Sequence, residues 1–194
     1  DGIIHRGNAR KYSMAFKRKN QFGTSMVVTY IIDNDDAITV GDLVQLRNGN
    51  VEDATAGAAL AGVVVDIVDK NGNSISGSLA VLGLATKTGL VGAETVTVGT
   101  TNETVDLIAA KIETSKFVRY SASVTGTMNT TTSSDKGGGW VNNVGTANVA
   151  ETTHSRTITD VRNLKNHGVD PDDSSRMIVS INHSEVWDNG AAMA

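Results

Sequence analysis

The sequence predicts a mainly β protein, a compact β-sandwich or β-barrel with one or two short helices and an extended N-terminal arm. Three observations lead there. Gly, Thr and Val crowd the 194 residues while aromatics make up only 4%, a mixture that favours strands and tight turns over helices. Apolar runs are short and regularly punctuated by turn residues. Asn48-Gly49 and Asn71-Gly72 each follow a strand-like run and supply the two positive-φ positions of a tight hairpin turn. A hydrophobic content of 39% is enough for one sizeable core without disulfide or metal staples.

Taken in order, the chain divides into a basic arm over 1–22, a β-rich body over 23–187 and a C-terminal tail over 188–194. The first twenty residues carry Arg6, Arg10, Lys11, Lys17, Arg18 and Lys19 against Asp1 alone, whereas the whole chain has a net charge of −4. A basic arm on an acidic body is therefore expected. The arm has no regular apolar period, and its aromatics Tyr12 and Phe16 are few, so nucleic acid is not the expected partner. Docking on a protein surface is the favoured reading, with two alternatives: a solvated tail, or Met14 and Phe16 covering the domain's own core edge.

Within the body, Ser25–Ile32 is apolar on both sides, as a covered strand would be. Val44 and Leu46 alternate with Gln45 and Arg47 before Asn48-Gly49, and Val63 to Val68 precedes Asn71-Gly72. Further strands are expected at Leu79–Ala85, Glu94–Val98, Phe117–Val124 and Met177–Asn182. Two segments read as helices. Val105, Ile108 and Ile112 fall on one face of Glu103–Thr114 behind a Thr101/Asn102 cap, and Val161 and Leu164 do so in Ile158–His167, with Gly168 as the stop. Between them, Gly126–Trp140 forms a polar low-complexity loop, 126–139 in the domain division, ending in three glycines. Trp140 and Trp187 border polar loop sequence and serve as local anchors or partner contacts.

The chemistry-bearing residue types point away from catalysis. Without cysteine there is no disulfide framework, thiolate metal site or cysteine nucleophile. In Asp170-Pro171-Asp172-Asp173-Ser174-Ser175, turn chemistry accounts for every residue: Pro171 opens a helical turn, Asp170 caps it, and Asp172 and Asp173 sit at the positive end of the backbone dipoles. The alternating oxygen ligands and terminal Glu of a calcium loop are missing. Asp33, Asp35 and Asp36 end a strand in the same manner. His5, His154, His167 and His183 show no two-ligand spacing, and His167 suits a helix C-terminus. "FGTSMVV" lacks the second glycine of a nucleophile elbow, and "GGG" at 137–139 matches neither phosphate-cradling fingerprint. No catalytic residue, metal or cofactor is expected. No apolar run reaches the roughly 18–20 residues of a membrane span, and the first residues lack a signal-peptide centre, so a soluble chain with no membrane partner is the reading.

One stretch carries a resemblance. "IDNDDAITVGDLVQLRNGNVEDATAGAALAGVVVDIVD" is similar to the head decoration, or cement, proteins of tailed bacteriophages. These have a strand entry, a Gly-Asp-hydrophobic-Val step, a hairpin, and an acidic-alanine segment leading to a second "GV" strand. The matching positions are Val40-Gly41-Asp42-Leu43-Val44, Asn48-Gly49, Val51 and Ala61-Gly62-Val63, with "LKNHGVDPDDSSRMIVSIN" a weaker echo. The resemblance implies a non-enzymatic virion protein, assembled in the host cytoplasm, often a trimer. It would bind the major capsid protein on the outer surface of the mature head and reinforce joints between capsomers. Arg6, Arg10, Lys11, Tyr12, Met14, Phe16, Lys17, Arg18 and Lys19 are then the expected capsid contacts. Two other assignments share the enzyme-silent β character: a tail, tube or fibre subunit, and a carbohydrate- or receptor-binding module.

Overall fold

The computed structural model describes residues 15–32, 37–68, 71–74, 87–88, 93–98, 101–106, 109–126, 138–155 and 162–182. The protein is mainly β, with no helix among the described residues. The strands form two principal sheets, each curled around an apolar cluster.

The first sheet has the order β2 (Val27–Ile31), β10 (Ala109–Glu113), β6 (Gly62–Val68), β4 (Leu43–Arg47) and β5 (Asn50–Asp53). A parallel bridge between Ile32 and Val51 joins the outermost strands, so the ladder comes round on itself. Ile32, Ile38, Val44, Val51, Val64, Ile67, Ala110 and Ile112 fill its interior. The Asn48-Gly49 hairpin forms as expected: φ is 52° at Asn48 and 85° at Gly49, and Arg47 pairs with Asn50 across the turn. Those two conformations match the twist of the flanking strands, which fixes the register. Upstream, Gly41 has φ 99°, and the buried Asp42 carboxylate accepts bonds from the Thr39 N–H and hydroxyl. Burial pushes the Asp42 carboxyl upward, against those two bonds.

The second sheet contains β11 (Val118–Thr125), β13 (Asn148–Ser155), β12 (Trp140–Val144), β14 (Leu164–Asp170) and β15 (Asp173–Ile181). Its pairings run full circle. β11 meets β13 in parallel, β13 meets β12, β12 meets β14, β14 meets β15, and β15 returns to β11. Such closure removes the unpaired edges that an open sheet exposes. Inward-facing Val118, Tyr120, Ala122, Val141, Val149, Leu164, Met177, Val179 and Ile181 pack with Leu43 and Val63 of the first sheet and with Ala54 and Leu60 of the connection between β5 and β6. The two curled sheets thus share one core layer. A polar clasp reinforces the joint: buried Asn163 donates to Ala58 O at 2.7 Å and to Asn143 Oδ1 at 2.6 Å, and that oxygen also accepts from Gly57 N. Two short ribbons complete the described strands, β3 (Ala37–Ile38) with β7 (Lys87–Thr88), and β8 (Ala93–Val98) with β9 (Thr101–Asp106).

Several expectations require correction. Glu103–Thr114 is not a helix but the end of β9 followed by β10, and β10 lies between β2 and β6. A central strand is buried on both faces, so its apolar residues need not alternate and can mimic helical spacing. The second expected helix is overturned where it is described: Leu164–Asp170 is β14, and Gly168, with φ 106°, sits at a register irregularity between Asn166 and Val169 instead of stopping a helix. Residues 158–161 and the expected strand Leu79–Ala85 lie outside the described residues. Ser25–Ile32 is not a covered strand either. β2 pairs along its length with β10 alone, and Val27 is 48% exposed. Pro171 begins a hairpin turn rather than a helical one: Asp170 pairs with Asp173 across Pro171-Asp172, and Asp170 Oδ1 accepts the Asp172 N–H at 3.0 Å.

The arm loses its last third to the body. Phe16–Gln21 is β1, paired antiparallel with β11. Arg176, itself buried, fixes its start: Nη2 donates to Ala15 O at 2.8 Å, Nε to Ser121 Oγ at 2.8 Å and Nη1 to Ser123 Oγ at 2.8 Å. The β structure therefore starts before the boundary drawn at residue 23.

Candidate functional site

The residues singled out in the sequence separate into three groups. Arg6, Arg10, Lys11, Tyr12 and Met14 lie outside the described residues, as do Trp187, His5 and His183. Phe16 is 2% exposed and meets Tyr120 edge-on, with ring centroids 6.4 Å apart. It faces the core and is closed to a partner. Lys17, Arg18 and Lys19 of β1 are each exposed. Lys19 is occupied internally, with Nζ 3.0 Å from Asp170 and 2.8 Å from Asp172. Burial alone would raise the Asp170 carboxyl. Bonds from Ser121, the Asp172 N–H and Lys19 outweigh it and hold the group below the ordinary carboxylate range. The acidic turn thus ties down β1.

Gly41, Asp42, Asn48, Gly49 and Gly62, which carry the family resemblance, all serve the backbone. Gly41, Asn48 and Gly49 take positive φ, Asp42 caps Thr39, and Gly62 starts β6 tight against the end of its neighbour β10. Of the five, only Asn48, at the exposed hairpin tip, has a side-chain polar group open to solvent.

A concave site forms where β1 ends. The chain leaves Gln21 with Phe22 N donating to Phe117 O at 3.0 Å. Gly23 then lets it pass the Phe117 ring, which a Cβ at that position would meet at 2.7 Å. Phe22 and Phe117 consequently stand side by side, 63% and 48% exposed. Each carries a cation: the Arg119 guanidinium lies 4.1 Å over the Phe22 ring centre, and Lys116 Nζ lies 5.6 Å from that of Phe117. Such stacking is favourable by about 0.5–1 kcal/mol at exposed sites and fixes where the charges point. From β14, Lys165 and His167 alternate with inward Leu164 and Asn166 and so enter from the same side. The groove holds about 360 Å³, and its lining among the described residues includes Ser180 and Asn182 but no carboxylate.

His167 reports the potential there. Its Nε2 is 2.9 Å from Ser180 Oγ. Burial first, then the Arg119 and Lys165 charges, lower its pKa to about 4, so the imidazole is neutral at pH 7. A His held below its unfolded value of about 6.5 adds stability that is complete above that pH. It is lost as pH falls from about 6.5 to 4. Against a His167→Gln variant, the wild type is expected to lose about 1–2 kcal/mol more between pH 7 and pH 4, after allowance for solvent screening. Paired thermal melts at a series of pH values read this, and parallel profiles would refute the depressed pKa.

This site is not legible in the sequence, because four separate segments supply it. The available signal was an aromatic beside bases in "SKFVRY" and an isolated "QFG"; His167 had been assigned to a helix end. No protein family, no curated protein and no solved structure matches the chain.

Proposed function

We propose that the chain is a non-enzymatic virion structural protein that binds the outer surface of a mature phage head and stabilises contacts between capsomers. The major capsid protein is its partner, and a trimer its working form. The observation that supports this reading is how the stretch resembling cement proteins folds. Its Gly-Asp step, Asn-Gly hairpin and Gly-Val strand form one continuous unit, β4 to β6, in which Gly41, Asn48 and Gly49 take positive φ and Gly62 leaves no room for a side chain. A body with this much strand edge consumed by curling is suited to sit on a lattice without polymerising through its own sheets. Many modest contacts of such a body, repeated over a shell, add up through multivalency. Lys17 and Arg18 are exposed and, with Arg6, Arg10 and Lys11 earlier in the sequence, suit an acidic capsid surface.

Co-sedimentation with proheads and with expanded heads of the encoding phage tests the proposal, using the full chain and a chain beginning at Ala15, which keeps the carbonyl held by Arg176. Saturable binding to expanded heads, weakened about tenfold or more by the truncation, is the expected result. Absence of binding to either form by the full chain would overturn it and leave the tail, tube, fibre and glycan-binding assignments to be measured instead.

A further inference from the structure

We infer that the groove between Phe22, Phe117, Arg119, Lys165 and His167 is a docking site for a short acidic peptide segment that carries an apolar side chain among its carboxylates. Lys116, Arg119 and Lys165 converge on a cavity that no carboxylate lines among the described residues. Like charges gathered this way repel one another, and the imidazole beside them registers it, since Arg119 and Lys165 both help to keep it neutral. An incoming carboxylate relieves that repulsion and gains charge-assisted hydrogen bonds. The cations are also placed in advance: Arg119 and Lys116 rest on aromatic faces, so less side-chain freedom is lost on binding. The same two rings form an exposed apolar wall, and covering it supplies the non-ionic part of recognition.

The geometry favours a peptide over nucleic acid. A volume of about 360 Å³ lies at the low end of the range for discrete ligand sites, about 300–1,000 Å³. It anchors a few groups and does not track a phosphate backbone. The body around it belongs to a chain of net charge −4, which repels a polyanion at longer range while tolerating two or three local carboxylates. The inference is independent of the capsid reading and supplies a partner chemistry for whichever assembly the protein serves.

The test is titration of the full chain into three fluorescein-labelled probes: the acetylated peptide Glu-Asp-Phe-Asp-Glu, its Gln-Asn-Phe-Asn-Gln counterpart, and a ten-residue thymidine oligonucleotide. The acidic peptide is expected to bind with a Kd of about 10–300 μM, and the neutral peptide at least about tenfold more weakly. Lys165→Glu, at an exposed strand position, should weaken the acidic peptide about tenfold without altering the melting temperature, whereas Lys17→Glu on the solvent side of β1 should leave it unchanged. Equal binding of both peptides, tighter binding of the oligonucleotide, insensitivity to Lys165→Glu or no peptide binding at all would each overturn the inference.

Discussion

Phe16→Ala is expected to destabilise the protein by about 3–5 kcal/mol, the range for removing a fully buried aromatic side chain. The ring is 2% exposed and shares a cluster with Leu43, Val63, Tyr120 and Met177, so its loss leaves a cavity walled by both sheets. The surrounding backbone has little freedom to collapse into that space. Phe16 N is bonded to Gly41 O at 3.0 Å, and Arg176 holds the preceding carbonyl. Urea unfolding checks the expectation through the transition midpoint at constant slope. A docking residue would behave in the opposite way, with stability changed by less than about 0.5 kcal/mol and only partner binding reduced. That second outcome would return Phe16 to a partner surface and detach β1 from the body.

The contrast between Phe16 and its neighbours shows what could be read in advance. "FVRYSASV" alternates strictly, and β11 carries Val118, Tyr120 and Ala122 into the apolar cluster, with Arg119 half-buried on the other face and Ser121 there covered by Arg176. Local period two sufficed there. The Asn48-Gly49 turn was legible for a similar reason, because its conformation depends on two adjacent residues. In "MAFKRKN", the basic residues dominate the composition and obscure the one side chain that packs. Whether Phe16 faces a core or a partner depends on β11, a hundred residues further on. β10 was misread because its apolar spacing fits a helix until β2 and β6 flank it. The groove was hidden most completely: Phe22, Arg119 and His167 are juxtaposed only by the pairing of β1 with β11 and the return of β15. Its chemistry is a property of topology, to which no single segment points.

Gly62 gives the second large effect and separates two physical reasons for glycine within one unit. A Cβ at this position would stand 2.3 Å from Ile112 Cγ2 and 2.5 Å from the Glu113 carbonyl oxygen. The carbonyl belongs to backbone and cannot swing aside. Gly62→Ala must therefore push β6 away from the end of β10, and overpacking of this kind costs about 1–3 kcal/mol, occasionally more. The displacement has a further consequence, since the buried Glu113 side chain accepts bonds from Met26 N at 2.8 Å and Ser115 N at 3.0 Å and from the Ser25 hydroxyl. Moving Glu113 loosens the entry to β2, and amide exchange should accelerate across β2 and β10 before it does in β11 or β15. Gly49→Ala is the internal control. It has open space around it but a φ of +85°, so its cost is conformational alone, about 1–2 kcal/mol, with no spread into β10. A larger loss for Gly62→Ala than for Gly49→Ala, confined in exchange to the first sheet, is the expected pattern. The reverse order would mean that β6 and β10 are further apart than described, and that the Gly-Val step of the unit is free to vary.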